Sequence, residues 1–246
     1  MDEVANRRLF YSLVHTRSRN PLAPLVLWFQ GGPGCSPMGA GFWQELGPFI
    51  LKGGRPGGGG EVVIPNNHTW ANFANLLFIE SPVNTGFSTS DDPSDHKQDD
   101  ASVTRDHVDF LQRFLKRHAY LSRAEVFLAG ESYAGHYIPL MASKLIHDGL
   151  VGRREGQINL RGLVPINPWS DTFHDNLGAV NWWFGQGVIS AKIRDSLLGP
   201  SCNLANGALW RTSGPNGLSP KCNAIRDSVS FEFRISLYGS WTLSQL

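Results

Sequence analysis

Three short runs that are apolar at almost every position most constrain the fold of this chain. They are Leu25–Phe29, Asn75–Ile79 and the segment from Glu125 to Ala129. A strand of this kind is buried on both faces, which happens when a parallel sheet is covered by helices on both sides. Two further β-prone runs extend from Leu9 to Val14 and from Leu160 to Ile166. The pattern predicts an α/β fold.

Two helices are predicted between and after these strands. The first spans Ala101 to His118, with Asp99 and Asp100 at its start and basic residues at its end, where each sign of charge suits the helix dipole. Its apolar stripe, with one histidine, consists of Val103, His107, Phe110, Leu111, Phe114 and Leu115. The second helix spans Tyr133 to His147 and follows a predicted strand almost directly.

Composition excludes several classes of protein. With 41% apolar residues in 246, the chain can bury a core and is not expected to be disordered. A net charge of +1 gives no field that favours a nucleic acid, so no nucleic-acid partner is predicted. No run approaches the roughly 20 apolar residues that span a bilayer. The three cysteines lack the C-x-x-C spacing of a zinc site, so no metal is predicted.

The six residues Gly130 to Gly135 contain the pattern G-x-S-x-G, with Ser132 at its centre. The pattern alone is common, but here an apolar strand ends at Ala129 and a helix starts just after the serine. This is the strand-turn-helix elbow on which a nucleophilic serine is presented, and it needs small residues on both sides. A glycine-rich turn with an incidental serine is the alternative interpretation.

A second glycine-rich segment, Gln30 to Ser36, directly follows the first apolar strand. A serine that attacks a carbonyl needs two fixed N–H donors for the developing negative charge. In hydrolase elbows one donor is the N–H of the residue after the nucleophile, here Tyr133, and the other comes from such a loop, here Gly31 or Gly32. A tight turn without function is the alternative for this loop.

Three blocks of the sequence together resemble the serine carboxypeptidases of the α/β-hydrolase superfamily. They are Pro24 to Pro48, Trp70 to Ser88 and Val126 to Pro139, and Asn159 to Asp171 fits more loosely. The resemblance implies a partial α/β-hydrolase core over residues 1–170, followed at 171–246 by the start of a helical cap. It also implies a serine-type carboxypeptidase that needs no cofactor and releases C-terminal residues from peptides or proteins.

The resemblance also implies roles for individual residues. Ser132 corresponds to the nucleophile, and Gly32 and Tyr133 correspond to the oxyanion-hole donors. The residues that would bind the C-terminal carboxylate of the substrate are Gln30, Gly31, Glu45 and Glu131.

The two glutamates of this set have a physical logic of their own. Two carboxyls close together cannot both ionise cheaply, so one keeps a proton and can donate to a bound carboxylate. The pair predicts hydrolysis with an acid optimum. Glu45 could instead be a solvated loop acid. Gln30 replaces the asparagine usual in the family, which alters the fine geometry of carboxylate binding.

The general base that a serine nucleophile needs is missing from the pattern. In this fold it is a histidine on a late loop, preceded by an acid. His136 and His147 lie on the helix that leaves the elbow and are interpreted as structural. His174 comes too early in the chain, and Asp171 also resembles a structural position. We therefore expect the catalytic Asp and His to be absent and the chain to be a fragment or a defective gene model.

Two alternatives to the peptidase remain open. An acyltransferase on the same scaffold would pass the acyl group to an alcohol, although Glu131 then has no obvious use. A non-catalytic remnant would fold poorly, or would bind peptides without cleaving them.

The remaining features concern compartment and surface. Cys35 resembles a family disulfide position whose partner lies further along the chain, and Cys202 could pair with Cys222. Asn67 starts a glycosylation sequon, typical of the secretory route. A vacuolar, lysosomal or secreted location is expected for the full-length protein. The run 53–60 is interpreted as a flexible surface loop.

Overall fold

The structure is a computed structural model that describes residues 6–18, 20, 22–53, 62–200, 202, 222 and 225. By compactness the chain divides into two units, Met1–Trp169 and Ser170–Leu246.

A five-stranded sheet forms the centre of the first unit, in the order β1-β5-β2-β6-β7. Strand β1 is antiparallel to β5, and the other neighbours are parallel. A separate antiparallel hairpin of β3 and β4 was not predicted from the sequence. The strands are β1 Tyr11–Val14, β2 Leu25–Phe29, β3 Phe49–Lys52, β4 Val62–Pro65, β5 Asn75–Ile79, β6 Val126–Glu131 and β7 Leu160–Ile166.

The predicted strands are confirmed, with small changes at their ends. β2, β5 and β7 have the predicted limits, and β1 begins later than predicted. β6 ends later than predicted, at Glu131, which is the residue before the proposed nucleophile. Of the predicted loop at 53–60, Gly53 follows β3 and the rest lies outside the described residues.

The two faces of the sheet belong to two separate cores, which explains why the central strands are apolar throughout. Along β2, Leu25, Leu27 and Phe29 pack into one core, while Val26 and Trp28 pack into the other. The alternation follows from the two-residue period of a strand. All five residues are 6% exposed or less.

Helices α1 (Asp100–Arg117) and α2 (Ala134–His147) cover the first of these cores. The predicted stripe of α1 is buried at each position that the sequence suggested. Asp99 caps α1 by accepting a hydrogen bond from the N–H of Ser102, whose hydroxyl in turn accepts one from the N–H of Asp99.

Within the described residues no helix is long and apolar enough to cross a membrane.

The second unit contains helices α3 (Thr172–Gly185) and α4 (Ala191–Leu198). Val180, Ile189 and Leu197 form a small core with a disulfide between Cys202 and Cys222. That disulfide was one of the pairings considered from the sequence, whereas Cys35 is exposed and unpaired. The function of this unit as a cap remains a prediction.

Candidate active site

Ser132 lies on a sharp backbone bend between β6 and α2. Its φ is 56°, a left-handed conformation that is uncommon for a residue other than glycine. A Cβ added to Gly130 would come within 2.4 Å of the carbonyl oxygen of Phe29 on the neighbouring strand, which explains the glycine before the elbow. The bend leaves Ser132 exposed although the strand before it is largely buried.

The backbone of this residue is fixed from three sides. The N–H of Ser132 donates to the carbonyl of Ile166 at the end of β7, at 3.2 Å. The carbonyl of Ser132 accepts from Gly135 at 2.9 Å and from Trp169 at 2.8 Å. A strained conformation of this kind persists because the surrounding bonds determine it.

The glycine loop lies directly against the elbow. A Cβ built on Gly31 would be 2.7 Å from Cβ of Ser132 and 2.8 Å from the backbone nitrogen of Tyr133. Gly32 follows with a φ of 111°, which a residue with a side chain adopts only under strain. The loop and the N–H of Tyr133 therefore border the same small space beside the serine.

Gln30 and Glu131 form the polar wall of this space. Gln30 is buried, and its Oε1 accepts a hydrogen bond of 3.0 Å from the indole nitrogen of Trp28. Since an indole nitrogen only donates, this contact fixes which side of the amide faces Trp28. The amide nitrogen of Gln30 is thereby left to donate to Oε1 of Glu131, at 2.5 Å.

Glu45 completes the polar group from the end of a π-helical segment, Met38–Glu45. The pKa of its carboxyl is raised, first by partial burial and then by the nearby charge of Glu131, and a hydrogen bond from Gln30 partly opposes the rise. Glu45 is exposed, so the site is open to solvent at this residue. The paired carboxyl and the solvated loop acid both remain interpretations of Glu45.

The structure thus brings together the seven residues predicted for the site. Four come from the loop and segment after β2 and three from the end of β6 and the elbow. They are Gln30, Gly31, Gly32, Glu45, Glu131, Ser132 and Tyr133. Their chemical roles remain predictions.

In the described part of the chain no histidine is hydrogen-bonded to the hydroxyl of Ser132. The ring of His136 stacks on Tyr133 at a centroid distance of 4.7 Å. His147 at the end of α2 is 87% exposed and pairs with Asp148. Both arrangements suit the structural interpretation of these two histidines.

In the second unit, Asp171 caps α3 by accepting a hydrogen bond from the N–H of His174, at 2.7 Å. Its carboxylate also contacts the imidazole Nδ1 of His174 at 2.8 Å. The hydrogen bonds that the carboxylate of Asp171 accepts, first from the backbone N–H of His174 and then from its side chain, lower the pKa of Asp171. The pair is local to one helix turn.

Glu80 is a functional neighbour that sequence reasoning missed. It directly follows β5, is 1% exposed, and accepts hydrogen bonds from the hydroxyl of Ser36 and the N–H of Phe87. Gly86 leaves room for the carboxylate, because an added Cβ would collide with it. Glu80 therefore ties the glycine loop to the loop after β5. The sequence did contain an indication of this role, because an acidic residue directly follows a strand that is apolar from its second residue onward.

His107 was read only as part of the apolar stripe of α1, but it also makes a buried polar contact. Its Nε2 lies 2.6 Å from the hydroxyl of Ser81. The ring is fully buried against Phe29 and Tyr137, and burial lowers its pKa to about 3. A histidine in this state is neutral and structural.

No cluster of residues that could hold a metal ion occurs among the described residues.

Comparison with known proteins assigns the chain to a family. The family model described as serine carboxypeptidase matches residues 1–230. The chain belongs to the serine carboxypeptidase family.

Two of the relatives that this chain matches come from Arabidopsis thaliana. Serine carboxypeptidase-like 27 is 39% identical over 191 residues, covering 76% of this chain and 40% of the relative. Serine carboxypeptidase-like 46 is 37% identical over 234 residues, covering 94% of this chain and 47% of the relative. The chain spans less than half the length of these two relatives.

A solved structure shows the same fold. Kex1(Δ)p, a prohormone-processing carboxypeptidase from Saccharomyces cerevisiae, matches with a TM-score of 0.70 and 25% identity, over 94% of this chain and 50% of that one. The predicted α/β-hydrolase fold is confirmed.

Proposed function

We propose that this chain carries the nucleophile, the oxyanion loop and the carboxylate-binding group of a serine-type carboxypeptidase, which releases C-terminal residues from peptides. The observation that carries the proposal is the packing of Gly31 against Ser132 and Tyr133, beside the hydrogen bond between Gln30 and Glu131. A nucleophile, two backbone donors and a carboxylate-binding pair border one space.

The proposed reaction proceeds through an acyl-enzyme. Oγ of Ser132 bonds to the carbonyl carbon of the last peptide bond, and the N–H groups of Gly32 and Tyr133 stabilise the oxyanion. Each such donor is worth about 3 kcal/mol in the transition state. The C–N bond then breaks, the C-terminal amino acid leaves with a proton on its nitrogen, and water hydrolyses the ester.

This reaction also requires a general base that takes the proton of Ser132. No described histidine of the first unit is hydrogen-bonded to the hydroxyl of Ser132. The chain is therefore proposed to supply binding and the nucleophile, and the absence of the catalytic Asp and His from it stays a prediction.

The carboxylate group of the substrate is proposed to bind at Glu45, Glu131, Gln30 and the N–H of Gly31. A raised pKa at Glu45 keeps a proton on the pair at acid pH, and a protonated carboxyl can donate to the bound carboxylate. This supports an acid optimum.

The same group of residues bears on the two competing functions. An acyltransferase with a sugar-ester donor has no use for a carboxylate-binding pair, so the contact between Gln30 and Glu131 favours the peptidase. A peptide-binding protein without activity is favoured by the lack of a base near Ser132 within the described residues.

The disulfide between Cys202 and Cys222 supports a secretory route, since such bonds persist in oxidising compartments. Asn67 of the sequon is exposed. A vacuolar, lysosomal or secreted location and glycosylation at Asn67 are therefore proposed.

The test compares the binding of two peptides and adds a covalent reagent directed at Ser132. An N-acylated peptide with a free C-terminal carboxylate should bind at acid pH at least about tenfold more tightly than the same peptide with a C-terminal amide. A fluorophosphonate reacts with a serine that a base activates, so labelling of Ser132, with Ser132→Ala as the unlabelled control, would show that the chain supplies a base. Turnover of the peptide supports the peptidase, transfer to an added alcohol supports the acyltransferase, and carboxylate-dependent binding without either supports the non-catalytic alternative. Equal binding of acid and amide would refute carboxylate recognition.

A further inference from the structure

A large open cavity lies at the end of the sheet opposite to the candidate active site. Its volume is about 1030 Å³, at the upper limit of the roughly 300–1,000 Å³ of small-molecule sites. Its lining comes from the end of α1 and from the two segments that lead into β6 and β7. Arg123 of this lining precedes the amino end of β6, whereas Ser132 follows the carboxyl end of the same strand. A six-residue strand spans roughly 20 Å, so the two sites are separate.

The charge of this cavity is strongly positive. Four cationic side chains line it, against one acidic side chain, Glu155; the four are Lys116, Arg123, Arg153 and Arg154. We call it the basic cavity. Its local charge of +3 stands in a chain whose net charge is +1, so the rest of the chain is net negative. The positive charge is therefore concentrated here and is not part of a generally basic surface.

These four cations are free to bind a ligand. Within the described residues none of their side chains forms an ion pair or a hydrogen bond. Acids near the cavity in the chain are already used, since Glu125 pairs with Arg161 at 3.2 Å and Asp148 pairs with Lys144 at 2.8 Å. Lys116 lies in the last turn of α1, where a cation suits the helix dipole in any case, so the three arginines carry the argument.

The segment that carries two of the arginines is held in a fixed shape. The N–H of Gly152 donates to the carbonyl of Ile158 at 3.0 Å, and the N–H of Gln157 donates to the carbonyl of Arg154 at 3.1 Å. The side chain of Gln157 in turn accepts from the N–H of Arg154 at 3.2 Å. Because this turn is closed by its own hydrogen bonds, a ligand that binds Arg153 and Arg154 does not have to order their backbone.

The chemistry of the lining selects the class of ligand. A guanidinium group binds a phosphate group through two parallel hydrogen bonds, and a lysine binds phosphate as a point charge. A single exposed ion pair is worth little, so an anion must contact several of these cations at once to bind well. Nucleic acid fits less well, because a polymer would extend beyond the cavity over a surface that is net negative.

We propose that the basic cavity binds a small anion that carries two or more phosphate groups. Several phosphate groups on one molecule bind several cations with the loss of freedom of only one molecule. The site is distinct from the candidate active site, and the proposal does not depend on the reaction at Ser132.

The test titrates the full chain with inorganic tripolyphosphate by calorimetry at low ionic strength. One molecule should bind per chain, and the affinity should fall at least about tenfold between roughly 20 and 150 mM salt, because exposed charges are screened. Orthophosphate, which has one phosphate group, should bind at least about tenfold more weakly. Citrate, a carboxylate anion, should bind at least about fivefold more weakly than tripolyphosphate.

Three variants locate the site. The double change Arg153→Gln and Arg154→Gln should weaken binding of tripolyphosphate at least about tenfold. Glu155→Gln removes the opposing charge and should tighten binding about threefold, a gain that a loss of folding cannot imitate. Arg105→Gln is the control, since it makes the same charge change on α1 roughly 16 Å before Lys116 and should alter the affinity less than about twofold.

Several results would overturn the proposal. They are the absence of binding at about 1 mM tripolyphosphate, equal losses in Arg105→Gln and the double variant, an affinity that Glu155→Gln leaves unchanged, and citrate binding as tight as that of tripolyphosphate. A short DNA duplex that binds more tightly than tripolyphosphate would identify a nucleic-acid surface instead. Sedimentation of the chain with phosphatidylserine vesicles in the presence of excess tripolyphosphate would identify a membrane-binding surface instead.

Discussion

The amide nitrogen of Gln30 lies 2.5 Å from Oε1 of Glu131, although 101 positions separate the two residues in the chain. The contact follows from strand pairing. Phe29 of β2 is paired with Gly130 of β6, so Gln30, which follows β2, lies beside Glu131, the last residue of β6. The polar wall of the site is therefore a product of the register between two parallel strands.

The first prediction concerns the contact between the glycine loop and the elbow. Gly31→Ala should destabilise the fold by about 1–3 kcal/mol and weaken peptide binding, because the added Cβ overlaps backbone atoms of the elbow that cannot rotate away. Urea unfolding and calorimetry measure the two effects. Gly53→Ala, where nothing lies within 4 Å, should change neither. Unchanged peptide binding in Gly31→Ala would show that the loop does not border the site.

The second prediction concerns pH. Since the pKa of Glu45 is raised, the protonated pair exists below that pKa and is lost as pH rises through it. Affinity for a peptide with a free carboxylate should therefore fall with rising pH, while Glu45→Gln, which donates at every pH, should flatten the profile. Titrations from about pH 4 to about pH 8 measure this. Glu155→Gln is an exposed control, and a wild-type affinity that rises with pH would contradict the prediction.

The third prediction concerns the buried histidine. His107 has a pKa of about 3 in the folded chain and about 6.5 when unfolded, so the unfolded state binds a proton that the folded state does not between these values. Its contribution to stability is fully present above pH 6.5 and is lost as pH falls towards 3. The loss approaches about 1.4 kcal/mol per pH unit.

Urea unfolding at a series of pH values tests this contribution. His107→Gln cannot titrate and should show a smaller loss of stability on acidification than the wild type, whereas the exposed His147→Gln should behave like the wild type. Equal pH dependence in His107→Gln and the wild type would mean that the pKa of His107 is the same in the folded and the unfolded chain, which contradicts the prediction.

The fourth prediction concerns Glu80. Glu80→Met removes both acceptor oxygens, so the hydroxyl of Ser36 and the N–H of Phe87 both lose the partner to which they donate. We expect a loss of about 1–3 kcal/mol in unfolding free energy and weaker peptide binding, because Ser36 belongs to the segment of the glycine loop. Chemical denaturation and calorimetry measure these effects. Stability equal to that of the wild type would show that this link is not needed.

Much of the fold was predictable because it depends on local patterns. The apolar runs β2 and β5 gave strands with the predicted limits, since a strand buried on both faces must be apolar at successive positions. The start of α1 was indicated by Asp99, whose cap is a local hydrogen bond. The hairpin of β3 and β4 was not predicted, because neither strand has a continuous buried face and most of the segment between them consists of glycine, arginine and proline.

The candidate site was predicted in its residues but not in its contacts. The resemblance indicated Glu45 and Glu131 as a pair, whereas the role of Trp28 in orienting Gln30 had no trace in the sequence. The same holds for Glu80, whose partners lie in two different loops, and for the pairing of Ser81 with His107.

By itself the amino-acid sequence determined the strands, the two covering helices and the glycines that permit a bend at Ser132, because these depend on side-chain pattern and backbone freedom within a few neighbouring residues. Only the tertiary structure decided that Gln30 meets Glu131 and that Asp100 meets Tyr133. Contacts between residues that lie this far apart in the chain depend on strand register and helix packing. Those are set by the burial of whole faces and not by any single segment.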